Sequence, residues 1–136
     1  MTTGKAIYGK LSTDPTITAL CAIRIYPAKS PQEQATYPLV IYAGDGGETI
    51  ASFSGPSGLR KEKITVGCIG RTYASMDALS AAVRNSLDNE SGTWGGVVVQ
   101  GCFFEDERED HLSSEDTGEQ FELYMKEMDF TLWFNT

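Results

Sequence analysis

The sequence holds one histidine, His111, among 136 residues, and only three cysteines, Cys21, Cys68 and Cys102. A lone imidazole leaves no second one for a two-histidine catalytic or metal site, and this one lies among acids, where a solvent-exposed side chain is expected. The cysteines are odd in number, far apart and outside any C-x-x-C spacing, so they read as small buried thiols rather than a disulfide framework or metal cluster. Long apolar runs are also missing. Runs such as Leu39 to Ala43 and Val97 to Val99 fall far short of the roughly 20 residues a helix needs to cross a bilayer. The start, Met-Thr-Thr-Gly-Lys, has no apolar core of a signal peptide, so synthesis in the cytoplasm is expected. Basic residues are scarce, 11 against 19 acids, and that balance argues against ordinary nucleic-acid binding, which needs Lys and Arg on phosphates.

Motifs that carry chemistry are absent as well. Gly44-Asp45-Gly46-Gly47 lacks the Lys-Ser/Thr of a phosphate loop and the third glycine of a dinucleotide fingerprint. The acids do not follow the spacing of a calcium loop, and there is no G-x-S-x-G. No catalytic residue, no cofactor site and no metal site is expected, and the chain is not read as an enzyme.

With 40% hydrophobic and 22% charged residues, the composition is that of a globular chain, and the length suits a single domain over residues 1–136. All five prolines lie in the first 60 residues, in Asp14-Pro15, Tyr26-Pro27, Ser30-Pro31, Tyr37-Pro38 and Gly55-Pro56. Each fixes its own φ and bars helix just before it, so this half is a succession of short elements with set corners.

Thr3 to Leu11 is a weak helix candidate with Ala6, Ile7 and Leu11 on one face. Asp14-Pro15 reads as N-cap and first position of a short helix to about Ala22, with Ile17 and Leu20 or Cys21 inward. Ile23 to Tyr26 is an entry strand, and Ala28 to Thr36 a loop. Leu39 to Ala43 is β-branched and aromatic, hence a strand; Gly44 to Gly47 reads as a turn into a second strand over Thr49–Phe53. After Gly55–Gly58 the run Arg60 to Ile69 alternates, with Ile64, Val66 and Cys68 on one face. Thr72 caps the clearest helix, to about Asn89, whose stripe is Tyr73, Met76, Leu79, Val83 and Leu87.

Ser91 to Gly96 is a turn cluster, Val97 to Phe104 a strand, and Phe121 to Phe134 the last and longest strand. In that strand the apolar residues move from odd to even positions around Lys126. The shift implies either a β-bulge near Lys126-Glu127 or a strand covered on both faces. The fold class is α+β: a mainly antiparallel sheet with one long helix packed across it and a short N-terminal helical region. The core is expected where the Tyr73–Leu87 stripe meets Val97, Val99, Phe103 and Phe130 or Leu132.

Charge is unevenly placed. Glu105, Asp106, Glu107, Glu109, Asp110, Glu115, Asp116 and Glu119 face Arg108 alone, so residues 105–120 carry −7 of the net −8. This segment reads as a loop at the tip of a hairpin from Val97 to Phe134. Arg60, Lys61 and Lys63 form the one basic cluster, either a charged edge strand that discourages stray pairing or a contact for the acidic segment of a neighbouring subunit. Arg60, Lys61, Lys63 and Glu105, Asp106, Glu107, Arg108, Glu109 and Asp110 are therefore the candidate subunit or partner contacts.

The ordered series Asp14-Pro15, Arg24-Ile25-Tyr26-Pro27, Pro31-Gln32, Tyr37-Pro38 with Tyr42 beyond, Gly55-Pro56-Ser57-Gly58-Leu59, Thr72-Tyr73, Glu105 to Arg108 and Phe130 to Phe134 resembles the phage tail completion (tail terminator, head-to-tail joining) family. The likeness runs over nearly the whole chain; the acidic stretch continuing through Gln120 departs from it. It implies a structural protein of a phage or phage-like particle, without catalytic residues. Such a protein forms a ring, expected to be a homohexamer, at the head-proximal end of the tail. It stops growth of the tail tube and presents a surface to the head connector. The implied partners are its own copies, the tail tube protein and a head connector or head completion protein, with no membrane and no sequence-specific nucleic acid. The implied location is the virion tail or neck, after synthesis in a host bacterial cytoplasm. Another neck or minor tail protein, or a small cytoplasmic ligand-binding domain, is the alternative.

Overall fold

A computed structural model describes residues 2–27, 36–52, 55–112 and 122–135. The element order is α1 (Thr2–Ser12), α2 (Pro15–Cys21), β1 (Ile25–Pro27), β2 (Leu39–Ser52), β3 (Gly55–Gly70), α3 (Tyr73–Leu87), β4 (Glu90–Trp94), β5 (Val97–Leu112) and β6 (Leu123–Asn135). The architecture is mixed α/β, with a six-stranded sheet in the order β1-β2-β3-β6-β5-β4. β1 pairs with β2 in parallel and every other pairing is antiparallel. The expectation of one long helix is corrected: α1, α2 and α3, of 11, 7 and 15 residues, share one face of the sheet. Each is too short to cover that face alone, and all three contribute to one buried cluster.

Local chemistry sets the helix ends. Asp14 caps α2, its side chain accepting from the Thr16 N–H at 2.9 Å, with Pro15 in the first turn. Thr72 caps α3 by accepting from the Ser75 N–H at 3.1 Å, and Asn89 (φ 60°) turns the chain out of it.

The main core gathers Ile7 and Leu11 of α1, Ile17 of α2, Leu79, Val83 and Leu87 of α3, and the inner faces of the strands. Ile64, Val66 and Cys68 of β3 are fully buried there, as the alternation requires. Phe103 is corrected out of the core: it is 43% exposed on the opposite face. A register shift in β5 between Val99 and Gly101 breaks the alternation and turns Cys102 inward instead.

No bulge lies at Lys126-Glu127; the β3–β6 register runs unbroken from Tyr124 to Asn135. The other expectation, a strand covered on both faces, holds only at the start of β6, around Leu123 and Met125. Lys126, Met128, Phe130, Leu132 and Phe134 are buried on the helix side. Leu123 is buried on the far side with Leu39 and Ile69, and Met125 packs against them.

Several expected turns are strand. Gly44–Gly47 sits inside β2 as a register irregularity, and Gly55–Gly58 lies inside β3. Ser91–Trp94 lies in β4, leaving Gly95-Gly96 as the turn. β3 and β5, each of 16 residues, are longer than β6 at 13. The loop expected over Ala28–Thr36, apart from Thr36, lies outside the described residues, as do Phe121, Glu115, Asp116 and Glu119.

Candidate functional site

The acidic segment is not a loop where it is described. β5 continues through Glu105–Leu112, paired with β6 as far as Leu112 opposite Leu123. Acids are poor strand formers, so the pairing rests on specific contacts. Across from Arg108, β6 offers Glu127 and Asp129: Arg108 Nη1 lies 2.9 Å from Asp129 Oδ2 and its Nε 3.6 Å from Glu127 Oε1. Thr65 of β3 donates its hydroxyl to the same Asp129 carboxylate at 2.8 Å. The Arg108 hydrogen bonds hold the Asp129 carboxyl below its ordinary pKa, with the Thr65 bond adding to them against partial burial.

On the helix side, Lys126 Nζ lies 3.1 Å from Asp77 Oδ1 of α3 and 3.3 Å from Glu109 Oε1 of β5. Glu109 in turn accepts from the Tyr73 hydroxyl at 2.9 Å. Burial alone would lower the Lys126 pKa, but the hydrogen bonds to Asp77 and Glu109 outweigh it and raise it. His111 is exposed, its Nε2 3.2 Å from Glu122.

The basic cluster is split by the period of a strand. Arg60 and Glu62 face the helices, Arg60 Nε lying 3.5 Å from Glu62 Oε1 and Glu62 accepting from Thr3 of α1 at 2.7 Å. Lys61 and Lys63 occupy the alternate positions, on the face without helices. There, with Glu105, Asp129, Thr65 and Thr131, they line a depression of about 280 Å³. β3 is flanked by β2 and β6, so the reading of Arg60–Lys63 as a charged edge strand is corrected.

The structure therefore brings Lys61, Lys63, Glu105 and Arg108 onto one open sheet face. Arg60, Glu107 and Glu109 fall in register with residues of the other side.

One surface was missed by sequence reasoning. Phe103, Leu59 and Trp133 line an open depression of about 490 Å³ with Gln100, Gly101 and Asn135, and Lys61 Nζ sits 5.4 Å above the Trp133 ring. A Cβ at Gly101 would meet the Phe103 ring at 2.9 Å. That glycine, two residues before an aromatic, was the available sign. Among the described residues, no group of three or more His, Cys, Asp or Glu is placed to hold a metal ion, and no helix is long and apolar enough to cross a membrane.

No family model and no curated protein matches the chain. A solved structure does. The chain is similar in fold to a chain of the virion of a native gene transfer agent particle, with a TM-score of 0.70 and 17% sequence identity. The match covers 98% of this chain and 94% of that one. At that identity the likeness is one of fold, and it extends over nearly the full length of both chains.

Proposed function

We propose that the protein is a structural component of a phage or phage-like particle. It forms a homohexameric ring at the head-proximal end of the tail, stops tail-tube growth and joins the tail to the head connector. Residues 1–136 act as one tail-terminator-like domain. The observation that carries this reading is the near-complete fold match to a chain of a gene transfer agent virion. The ordered motif series from Asp14-Pro15 to Phe130–Phe134 supports the narrower role. The open sheet face, with Lys61, Lys63, Glu105 and Arg108, is the surface offered to partners, and no step of chemistry is assigned to it. The test is deletion of the gene in a producing strain, followed by electron microscopy. Overlong or headless tails are expected, together with a ring of this chain at the tail's upper end in complete particles. Tails of normal length joined to heads in its absence would overturn the role.

A further inference from the structure

The long strands outrun the short ones that flank them. β1 covers only Val40, Ile41 and Tyr42 of β2, so from Ala43 to Ser52 no strand lies on that side of β2 among the described residues. On the opposite flank, β4 pairs with β5 between Val97 and Cys102, and β5 runs on to Leu112.

The two edges that the described residues leave uncovered are not alike. On β5, carboxylates hold three backbone donors. Asp88 Oδ1 accepts from the Phe104 N–H at 3.0 Å, Asp106 Oδ1 from Glu107 at 2.8 Å and Asp110 Oδ1 from His111 at 2.8 Å. With those donors taken and five acids between Glu105 and Asp110, this edge resists an added strand. The bare edge of β2 reads Ala-Gly-Asp-Gly-Gly-Glu-Thr-Ile-Ala-Ser, with two acids.

One row of paired residues crosses the sheet from that edge to β4: Thr49, Arg60, Phe134, Val99 and Gly92. The bare edge of β2 and the outer strand β4 therefore stand level, at the two ends of a single row. Four antiparallel steps separate them, so β4 runs in the same sense as β2. β1 already pairs with β2 in that sense on the same edge.

We infer that β4 of a second copy adds in parallel to the bare edge of β2, continuing the edge that β1 begins. The inference rests on the ring reading above and names the surfaces that join the ring. Glu90–Thr93 are exposed, and the 5 residues of β4 fit within the bare length of β2. Each copy offers two different edges, so the contact is heterologous. Because the edges are level, copies add side by side rather than stepping along the strands, as a closed ring needs. Main-chain hydrogen bonds supply the affinity in strand addition, which suits copies whose net charge is −8.

Amide hydrogen exchange on the isolated chain and on the chain in particles tests this without a variant. Exchange at Gly47–Thr49 and in β4 should slow at least tenfold on assembly, while Glu107 and His111 stay as they were. A variant gives a second reading. Val40, opposite Cys68, aims its N–H outward at Arg24 O. Arg60 lies an even number of residues from Cys68 along β3, whose register with β6 is unbroken, so Thr49 opposite Arg60 also aims its N–H away from β3. Thr49→Pro therefore removes an outward donor and leaves the β2–β3 ladder intact. Its incorporation into particles should fall at least tenfold with the folded monomer retained. Normal incorporation, or protection that appears on the β5 extension and not on β2 and β4, overturns the inference. A ring joined through other surfaces overturns it alone. Particles in which this chain forms no ring overturn both it and the proposed function.

Discussion

Lys126 Nζ lies 3.1 Å from the Asp77 carboxylate, and this contact ties the central strand to α3 at the acidic end of the sheet. Lysine occupies a position that Met128, Phe130 and Leu132 continue as apolar, and the flanking carboxylates of Asp77 and Glu109 make it tolerable there. Both partners are about half exposed, so solvent screens the pair. Lys126→Met, which keeps the stem's packing, should cost about 1 kcal/mol, read as a lowered urea midpoint. Because the folded pKa of Lys126 is raised, its contribution is whole at neutral pH and is lost as pH rises through the folded value. The difference between wild type and Lys126→Met should therefore shrink in strong alkali.

Acid acts on a different pair. The folded pKa of Asp129 is lowered, so in the window just below the ordinary carboxyl value the unfolded chain binds more protons than the folded one. Stability from this group is full above that value and is lost as pH falls through the folded one. Asp129→Asn should flatten the acid limb of a stability-against-pH curve between about pH 2 and 5. An unchanged limb would show that Arg108 and Asp129 are not paired in solution.

Leu79 is fully buried in α3, so Leu79→Ala should cost about 2–5 kcal/mol, depending on how far the cavity collapses. Val83→Asp places a charge in the same core and should prevent folding. The urea midpoint of Leu79→Ala, compared with an exposed control such as Ala81→Ser, and the loss of a cooperative urea transition in Val83→Asp check this.

Gly9 lies in α1, where alanine would ordinarily stabilise a helix by about 0.5–1 kcal/mol. Here a Cβ would stand 2.6 Å from Gly95 Cα, a backbone atom that cannot swing aside. Gly95 has φ +57°, and its own Cβ would meet Lys5 O at 2.6 Å. Gly9→Ala should thus lower the melting temperature, opposite in sign to the helix-propensity rule, and Gly95→Ala should do the same.

Burial pushes the Cys68 and Cys102 thiols up to about 12. A thiol reagent at pH 8 should label neither at a measurable rate in the folded protein, and should label both in urea. Fast native labelling at Cys102 would mean that the β5–β6 core opens readily.

What the sequence revealed was local. Asp14-Pro15 and Thr72 marked helix starts because capping is decided within three residues, and the alternation at Ile64, Val66 and Cys68 marked β3 because its inner face is wholly apolar. What stayed hidden depended on partners far along the chain. Glu105–Leu112 carries no strand pattern of its own; it is a strand because Asp129, Glu127 and Lys126 wait across from it. Gly44–Gly47 has the chemistry of a turn, and only pairing with β3 makes it an irregularity within a strand. The candidate surface was half legible. The charges were visible, but the period of β3 divides Arg60 from Lys61 and Lys63, and the exposure of Phe103 follows from a register shift in β5.

The place of β6 between β3 and β5 has a consequence for synthesis. As the chain leaves the ribosome, the β2–β3 pair and the β4–β5 pair appear first, with no strand to join them. Ile7 and Leu11, made earlier, must wait for Phe130 and Phe134 before their shared core can close. Folding is therefore committed late, after residue 135 has emerged, through contacts of large sequence separation that slow the search. Until then the nascent chain presents two half-sheets whose apolar faces need shelter, and chaperone dependence during expression should track the exposure time of β3 and β5 rather than that of the helices.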